Sequence, residues 1–195
     1  MKNLGRDLGC IKTEYVERKD LNSTIWKQGI IFSWEPKEAY SSSALGLKPG
    51  YMSESPYIDS IEQYGAYSTW QMIITNHDAE GQDTLQHEVL HALGVIHEHS
   101  RPDRDQYLTV ENEPFNHNYG KKNGNQWVET SYPFEMQSIM IYTNSENIKK
   151  KSNKLVTNKS QRLTTTDALE IQEMYCKKKT KFEVKEHVMC SQQMN

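Results

Sequence analysis

The chain has 195 residues, of which 35% are hydrophobic and 25% charged, and its formal net charge at pH 7 is −3. This length is typical of one globular domain. The slightly acidic balance gives no indication of binding to nucleic acid or to an anionic membrane. Since there is no run of roughly 18 apolar residues, no transmembrane helix is expected. The N-terminal segment MKNLGRDLGC lacks the apolar core of a signal peptide, which by itself indicates a cytosolic protein.

The first 75 residues contain one helical pattern and two strand patterns. Leu4 and Leu8 are one helical turn apart and predict the end of a helix within residues 1–10. Residues 25–34 (IWKQGIIFSW) and 70–75 (WQMIIT) are rich in β-branched and aromatic side chains, which is typical of strands. The prolines, glycine and serines between these two segments predict loops.

Two later segments begin with the pattern of a helix capping box. Each has a short polar residue followed three positions later by a second polar residue: Asp83 with Gln86, and Thr164 with Asp167. The first pair predicts a helix over residues 84–93. The second pair predicts a helix that ends at Cys176.

The run HEVLHALGVIH has the spacing of a catalytic zinc site. His87 and His91 share one face of a helix, about 6 Å apart along the axis, and can bind one tetrahedral zinc. Glu88 can reach a water activated by the metal. Gly94 can adopt a positive φ, which would end the helix and bring His97 back as the third ligand. Three neutral imidazoles leave a net positive charge and an open position, which favours a catalytic over a structural metal.

The pattern continues beyond the third histidine and resembles the signature of the astacin family of zinc metallopeptidases. Two histidines alone often occur by chance on a helix surface, but HEVLHALGVIHEHSRPDRD matches HExxHxxGxxHExxRxDRD throughout. Glu98, directly after the third histidine, is diagnostic of this family among the metzincins. Residues 138–142 (SIMIY) are similar to the family's Met-turn, SIMHY. The resemblance implies that Met140 lies beneath the metal and that Tyr142 is a displaceable ligand. Ile141 replaces a histidine that is not a ligand, so little loss of metal binding is expected.

The resemblance also implies an α+β fold of the metzincin, or zincin-like, type with two lobes. A twisted sheet and the active-site helix would form the N-terminal lobe. A more irregular lobe would end in the C-terminal helix, with zinc at the floor of the cleft between the lobes. The catalytic domain would cover residues 1–176, and residues 177–195 would be a polar extension.

The placement of cysteines in the family implies a disulfide between Cys10 and Cys176, with two unrelated thiols as the alternative. Cys190 would be free or would pair with a segment outside this chain. Relatives carry a longer segment before the first of these cysteines, so the chain is expected to be incomplete at its N-terminus. In the family, propeptide removal creates a new N-terminus, which approaches the glutamate after the third histidine. Glu98 occupies that position here. That buried carboxylate is therefore expected to lack its partner.

The implied function is hydrolysis of internal peptide bonds in a protein or peptide substrate, with one Zn²⁺ per chain. Glu88 would act as the general base, and Tyr142 would hydrogen-bond the oxyanion. The family resemblance implies secretion, to which two glycosylation sequons add little. Two other classes stay open: an inactive, secreted zinc-binding protein, and a zinc hydrolase of non-peptide substrates, which the Met-turn disfavours. The sequence indicates neither substrate preference nor oligomeric state.

Overall fold

The computed structural model describes residues 11, 28–34, 41–43, 69–75, 82–111, 117–122 and 130–176. Apart from residue 11, these fall into two compact units, the first ending at Val95 and the second beginning at Ile96. Within the described residues, each unit contains a small sheet and one α-helix. Among the described residues, no helix has the length and apolar character that a membrane crossing requires. The helix predicted near the N-terminus and the extension predicted after Cys176 lie outside the described residues.

The first unit contains a three-stranded mixed sheet. Its strands are β1 (Gln28–Trp34), β2 (Ser42–Ser43) and β3 (Thr69–Thr75), in the spatial order β1-β3-β2. β1 runs parallel to β3 along its full length, and β2 pairs with β3 in the antiparallel direction. Both predicted strands are therefore confirmed within the described residues, as their β-branched and aromatic content indicates.

The helix α1 (Gln82–Ala92) completes the first unit and packs against β3 and β2. It begins two residues earlier than predicted, so Asp83 lies inside the first turn and does not precede the helix. An acidic side chain in the first turn still interacts favourably with the helix dipole. Val89 and Leu90 are buried and anchor the helix to the core.

The second unit is built around a two-stranded antiparallel sheet of β4 (Leu108–Val110) and β5 (Ile148–Lys150). Five buried apolar side chains form its core cluster: Leu108, Phe134, Ile141, Ile148 and Val156. Most of the other described residues of this unit before its last helix are irregular, and they include three short 3₁₀ helices, at residues 98–100, 104–106 and 117–119. These short elements agree with the less regular C-terminal lobe that the family resemblance implied.

The last helix, α2 (Thr165–Cys176), begins and ends where the sequence predicted. The Thr164 hydroxyl accepts the Asp167 amide at 3.1 Å, and the Asp167 carboxylate accepts the Thr164 amide at 2.9 Å. These reciprocal bonds form the predicted capping box. Cys176, the last residue of the helix, is disulfide-bonded. Its partner lies outside the described residues, so the pairing with Cys10 stays a prediction.

Candidate active site

Helix α1 holds two of the three predicted metal ligands on one buried face. His87 and His91 are both less than a tenth exposed, and their ring centroids lie 4.6 Å apart in an edge-to-face arrangement. Glu88, the predicted general base, is buried beside the first of them. The four-residue spacing therefore places both histidines on one face of the helix, as the sequence predicted.

The turn that ends α1 redirects the chain toward the third histidine. Gly94 has a φ of 94°, a conformation that glycine adopts without steric cost, as predicted. The Gly94 amide donates to the His91 carbonyl, and the Val95 amide donates to the Leu90 carbonyl, each at 2.9 Å. This pair of bonds is a Schellman motif, which satisfies carbonyls at the helix end.

The same turn also orients the ring of His91. Its Nδ1 lies 2.8 Å from the backbone carbonyl oxygen of Val95. Because a carbonyl can only accept, Nδ1 carries the hydrogen and Nε2 presents its lone pair. Burial lowers the pKa of His91, which favours the neutral ring that metal binding requires. The sequence reasoning did not anticipate this hydrogen bond, although a predicted helix end beside a histidine is a signal for it.

His87, His91 and His97 each offer one ligand atom, and these atoms all lie within 4.8 Å of one another. Tetrahedral zinc with bonds of about 2.1 Å holds its ligand atoms roughly 3.4 Å apart, so the three nitrogens are near the separation that one ion requires. The set consists of three imidazole nitrogens, which suits zinc chemically. The residues present therefore fit the ion that the motif predicts. No other such group of histidine, cysteine or acidic residues occurs in the part of the chain that the structure describes.

The Met-turn lies against the segment that follows the third histidine. Met140 is 1% exposed, and its carbonyl accepts the Glu98 amide at 3.0 Å. The ring of Tyr142 lies 4.4 Å from the ring of His97, centroid to centroid. The structure thus brings the predicted tyrosine next to one of the three predicted ligands.

Comparison with known proteins identifies the family. The Astacin family of peptidases matches residues 59–176, which is more than half of the chain. The chain belongs to the astacin family. Meprin A subunit alpha of Mus musculus is 32% identical over 110 residues, which cover 51% of this chain and 15% of that protein. The low choriolytic enzyme of Oryzias latipes is 44% identical over 62 residues, which cover 30% of this chain and 22% of that protein.

A solved structure shows the same fold. High choriolytic enzyme 1 of Oryzias latipes, a hatching enzyme zinc-protease, matches with a TM-score of 0.52 and 22% identity. The match covers 74% of this chain and 68% of that one. The α+β fold of astacin-type zinc proteases is therefore present here, as the sequence predicted. The chain therefore spans only 15% of the length of the meprin alpha subunit that it matches.

Glu98, the residue diagnostic of astacins, is buried but not unpaired. Its carboxylate accepts the Glu135 amide at 2.7 Å and the Arg101 guanidinium at 3.3 Å. The signature arginine and a backbone amide are thus partners of this carboxylate, and the expected lack of an N-terminal ammonium partner stays a prediction. Burial nevertheless raises the pKa of Glu98 to about 8, against the opposing effects of Arg101 and the Glu135 amide.

The arginine of the astacin signature connects the histidine segment to the last helix. Arg101 donates to Glu98 and also to Glu170 of α2, at 3.3 Å in each case. Its other nitrogens form a bidentate pair with Asp103, at 3.0 and 3.1 Å. Burial raises the pKa of Glu170 to about 7, opposed by the Thr130 hydroxyl and Arg101. The network gives the signature residues a structural role, and sequence reasoning missed Glu170 because nothing local singles it out.

Ile141, which departs from the astacin Met-turn, is fully buried in the apolar cluster of the second unit. Its neighbours there include Leu108, Phe134 and Ile148. An apolar side chain suits this environment, because a buried imidazole would need hydrogen-bond partners. The departure therefore concerns packing in this cluster, and the small effect on metal binding stays a prediction.

Asp167 attaches the Met-turn to the start of α2, in addition to capping that helix. Its carboxylate accepts the Ser138 hydroxyl at 2.6 Å and the Ile139 amide at 3.1 Å. The Ser138 hydroxyl in turn accepts the Met140 amide at 3.0 Å. One buried carboxylate thus fixes both the helix N-terminus and the turn that carries Met140.

Replacing Asp167 with alanine is expected to lower the free energy of unfolding by about 3 kcal/mol, because buried donors from Ser138, Ile139 and Thr164 lose their acceptor. Chemical denaturation would measure this change. Glu111→Ala is the control, since Glu111 is exposed and makes only a surface ion pair with a lysine, so a change below about 1 kcal/mol is expected. Equal effects of the two substitutions would contradict the anchoring role of Asp167.

Proposed function

We propose that this protein is a zinc-dependent metalloendopeptidase. The observation that carries the proposal is the group of His87, His91 and His97, of which the first two are buried on the same helix as the buried Glu88. Membership of the astacin peptidase family supports the same conclusion. The sequence matches cover only part of the curated relatives, so the activity is proposed for the chain from its own residues.

The three histidines would hold one zinc ion per chain. When bound, zinc polarises the scissile carbonyl and lowers the pKa of a water molecule at the site. Glu88 takes a proton from the attacking water and delivers it to the leaving amine. The Tyr142 hydroxyl donates a hydrogen bond to the oxyanion that develops on the substrate.

We also propose that the protein is secreted and acts on protein or peptide substrates. The disulfide at Cys176 supports this location, because disulfides persist mainly in oxidising compartments. Asn158 of the second glycosylation sequon is exposed, as an acceptor site requires.

Removing the metal should abolish peptidase activity. The test uses the full chain, zinc-loaded, with an unfolded generic protein as substrate, and compares samples with and without a chelator. We expect about one zinc per chain, loss of cleavage to background after chelation, and recovery when zinc is restored. Stoichiometric zinc without any cleavage would instead favour the inactive zinc-binding protein. Absence of zinc would refute the ligand assignment itself.

A further inference from the structure

His99 is a fully buried polar ring for which the family signature gives no role. Its exposed fraction is 0%. Its Nε2 lies 3.1 Å from the Asn118 carbonyl oxygen, and its Nδ1 lies 3.3 Å from the backbone nitrogen of Tyr142. Because a carbonyl only accepts and an amide only donates, Nε2 carries the hydrogen and Nδ1 accepts. Both ring nitrogens are therefore bonded to the backbone, and these bonds fix the orientation of the ring.

The same ring lies against two side chains of the proposed site. It stacks on His97, with centroids 4.8 Å apart and planes inclined by 16°. It also contacts Tyr142, with centroids 4.5 Å apart. Since His97 and Tyr142 touch one another as well, the three rings form a closed set. In a close-packed interior, a shift of one ring therefore displaces the other two.

His97 depends on such packing more than the other two ligands do. His87 and His91 are held by the helical backbone of α1, which ends at Ala92. His97 lies beyond that helix, in an extended conformation with φ −60° and ψ 138°. An extended residue outside regular structure gains its orientation from its neighbours, and the stacked ring of His99 is one of them.

We propose that His99 is a positioning residue that fixes the imidazole of His97 and the phenol of Tyr142 relative to one another. This inference rests on the proposed peptidase function of the site. Oxyanion stabilisation requires a donor at a set distance from the reacting centre, and a displacement of about 1 Å can lower the rate by on the order of 10²-fold. His99 should therefore affect kcat and metal binding more than KM.

The test compares two replacements of His99 in the full zinc-loaded chain. His99→Phe keeps an aromatic ring but loses both backbone hydrogen bonds. His99→Gln keeps a donor and an acceptor but loses the stacking, and it serves if the first variant does not fold. We expect each to lower kcat by about 10–100-fold, with KM changed less than about threefold. Ser100→Ala is the matched control, because Ser100 is buried and its hydroxyl uses the same Asn118 carbonyl at 3.4 Å.

A double-mutant cycle with Tyr142→Phe tests whether His99 acts through the tyrosine. Once the Tyr142 hydroxyl is absent, replacing His99 should lower kcat by a smaller factor than it does in the wild-type chain, because only the contribution through His97 remains. An equal loss in both backgrounds, together with unchanged cobalt spectra and lower thermal stability, would mean that His99 is merely structural and would overturn the inference.

A spectroscopic readout separates this inference from the peptidase function. Cobalt(II) replaces zinc, and its visible absorption reports the geometry of the three-histidine group without any substrate. We expect His99→Phe to shift the bands and to weaken cobalt binding by about 10–100-fold, while Ser100→Ala leaves both unchanged. Unchanged spectra and kcat in the His99 variants would overturn the inference alone. Cobalt binding without peptide cleavage would refute the peptidase function, and the spectra would still decide the role of His99. Absence of metal from the wild-type chain would refute both.

Discussion

Replacing Glu88 with glutamine is expected to lower kcat by about 10²–10⁴-fold while leaving the zinc content at one per chain. Glutamine matches glutamate in shape and can still form hydrogen bonds, but it cannot accept the proton of the attacking water. The side chain is buried beside His87 and is not one of the three residues that offer ligand atoms. The substitution should therefore separate proton transfer from metal binding.

Cleavage of an unfolded protein substrate and elemental analysis would measure the two effects on the same Glu88→Gln sample. Glu146→Gln is the matched control, because it makes the same chemical change at an exposed position of the second unit. Full activity in Glu88→Gln would remove Glu88 from the mechanism. Loss of zinc together with activity would assign the side chain to metal binding instead.

The parts of the site that the sequence predicted are those fixed by local chemistry. The positive φ of Gly94 follows from the turn that must end α1 before His97, and the structure confirms it. The capping box at Thr164 and Asp167 requires only residues three positions apart, so the start of α2 was predicted correctly. The predicted start of α1 was two residues too late, because Asp83 can serve a helix from inside its first turn as well as before it.

The remaining parts could not be predicted because they join residues distant in the sequence. Arg101 and Glu170 are separated by 69 positions, and no periodicity or capping pattern relates them. His99 has its Asn118 partner 19 residues away and its Tyr142 partner 43 residues away. Such contacts depend on how the irregular second unit packs, which the local pattern does not encode.

Replacing the proposed metal ligand His91 with alanine is expected to abolish stoichiometric zinc binding. The substitution deletes one of three ligands, and its effect should exceed the roughly 10–100-fold loss of affinity typical of outer-shell changes. It also removes the hydrogen bond from Nδ1 to the Val95 carbonyl, which contributes about 1 kcal/mol to the stability of the metal-free fold. Activity should fall to background because the site no longer holds the ion.

Thermal unfolding with and without a chelator distinguishes loss of the metal from loss of the fold. Zinc stabilises the folded state by a free energy that grows with the logarithm of its affinity, so the wild-type chain should unfold at a lower temperature after chelation. The His91→Ala variant should unfold at the same temperature in both conditions, because it holds no zinc to lose. Gln86→Ala, on the same helix but outside the ligand group, should behave like the wild-type chain. Equal zinc content in His91→Ala and the wild-type chain would show that the ion is bound elsewhere.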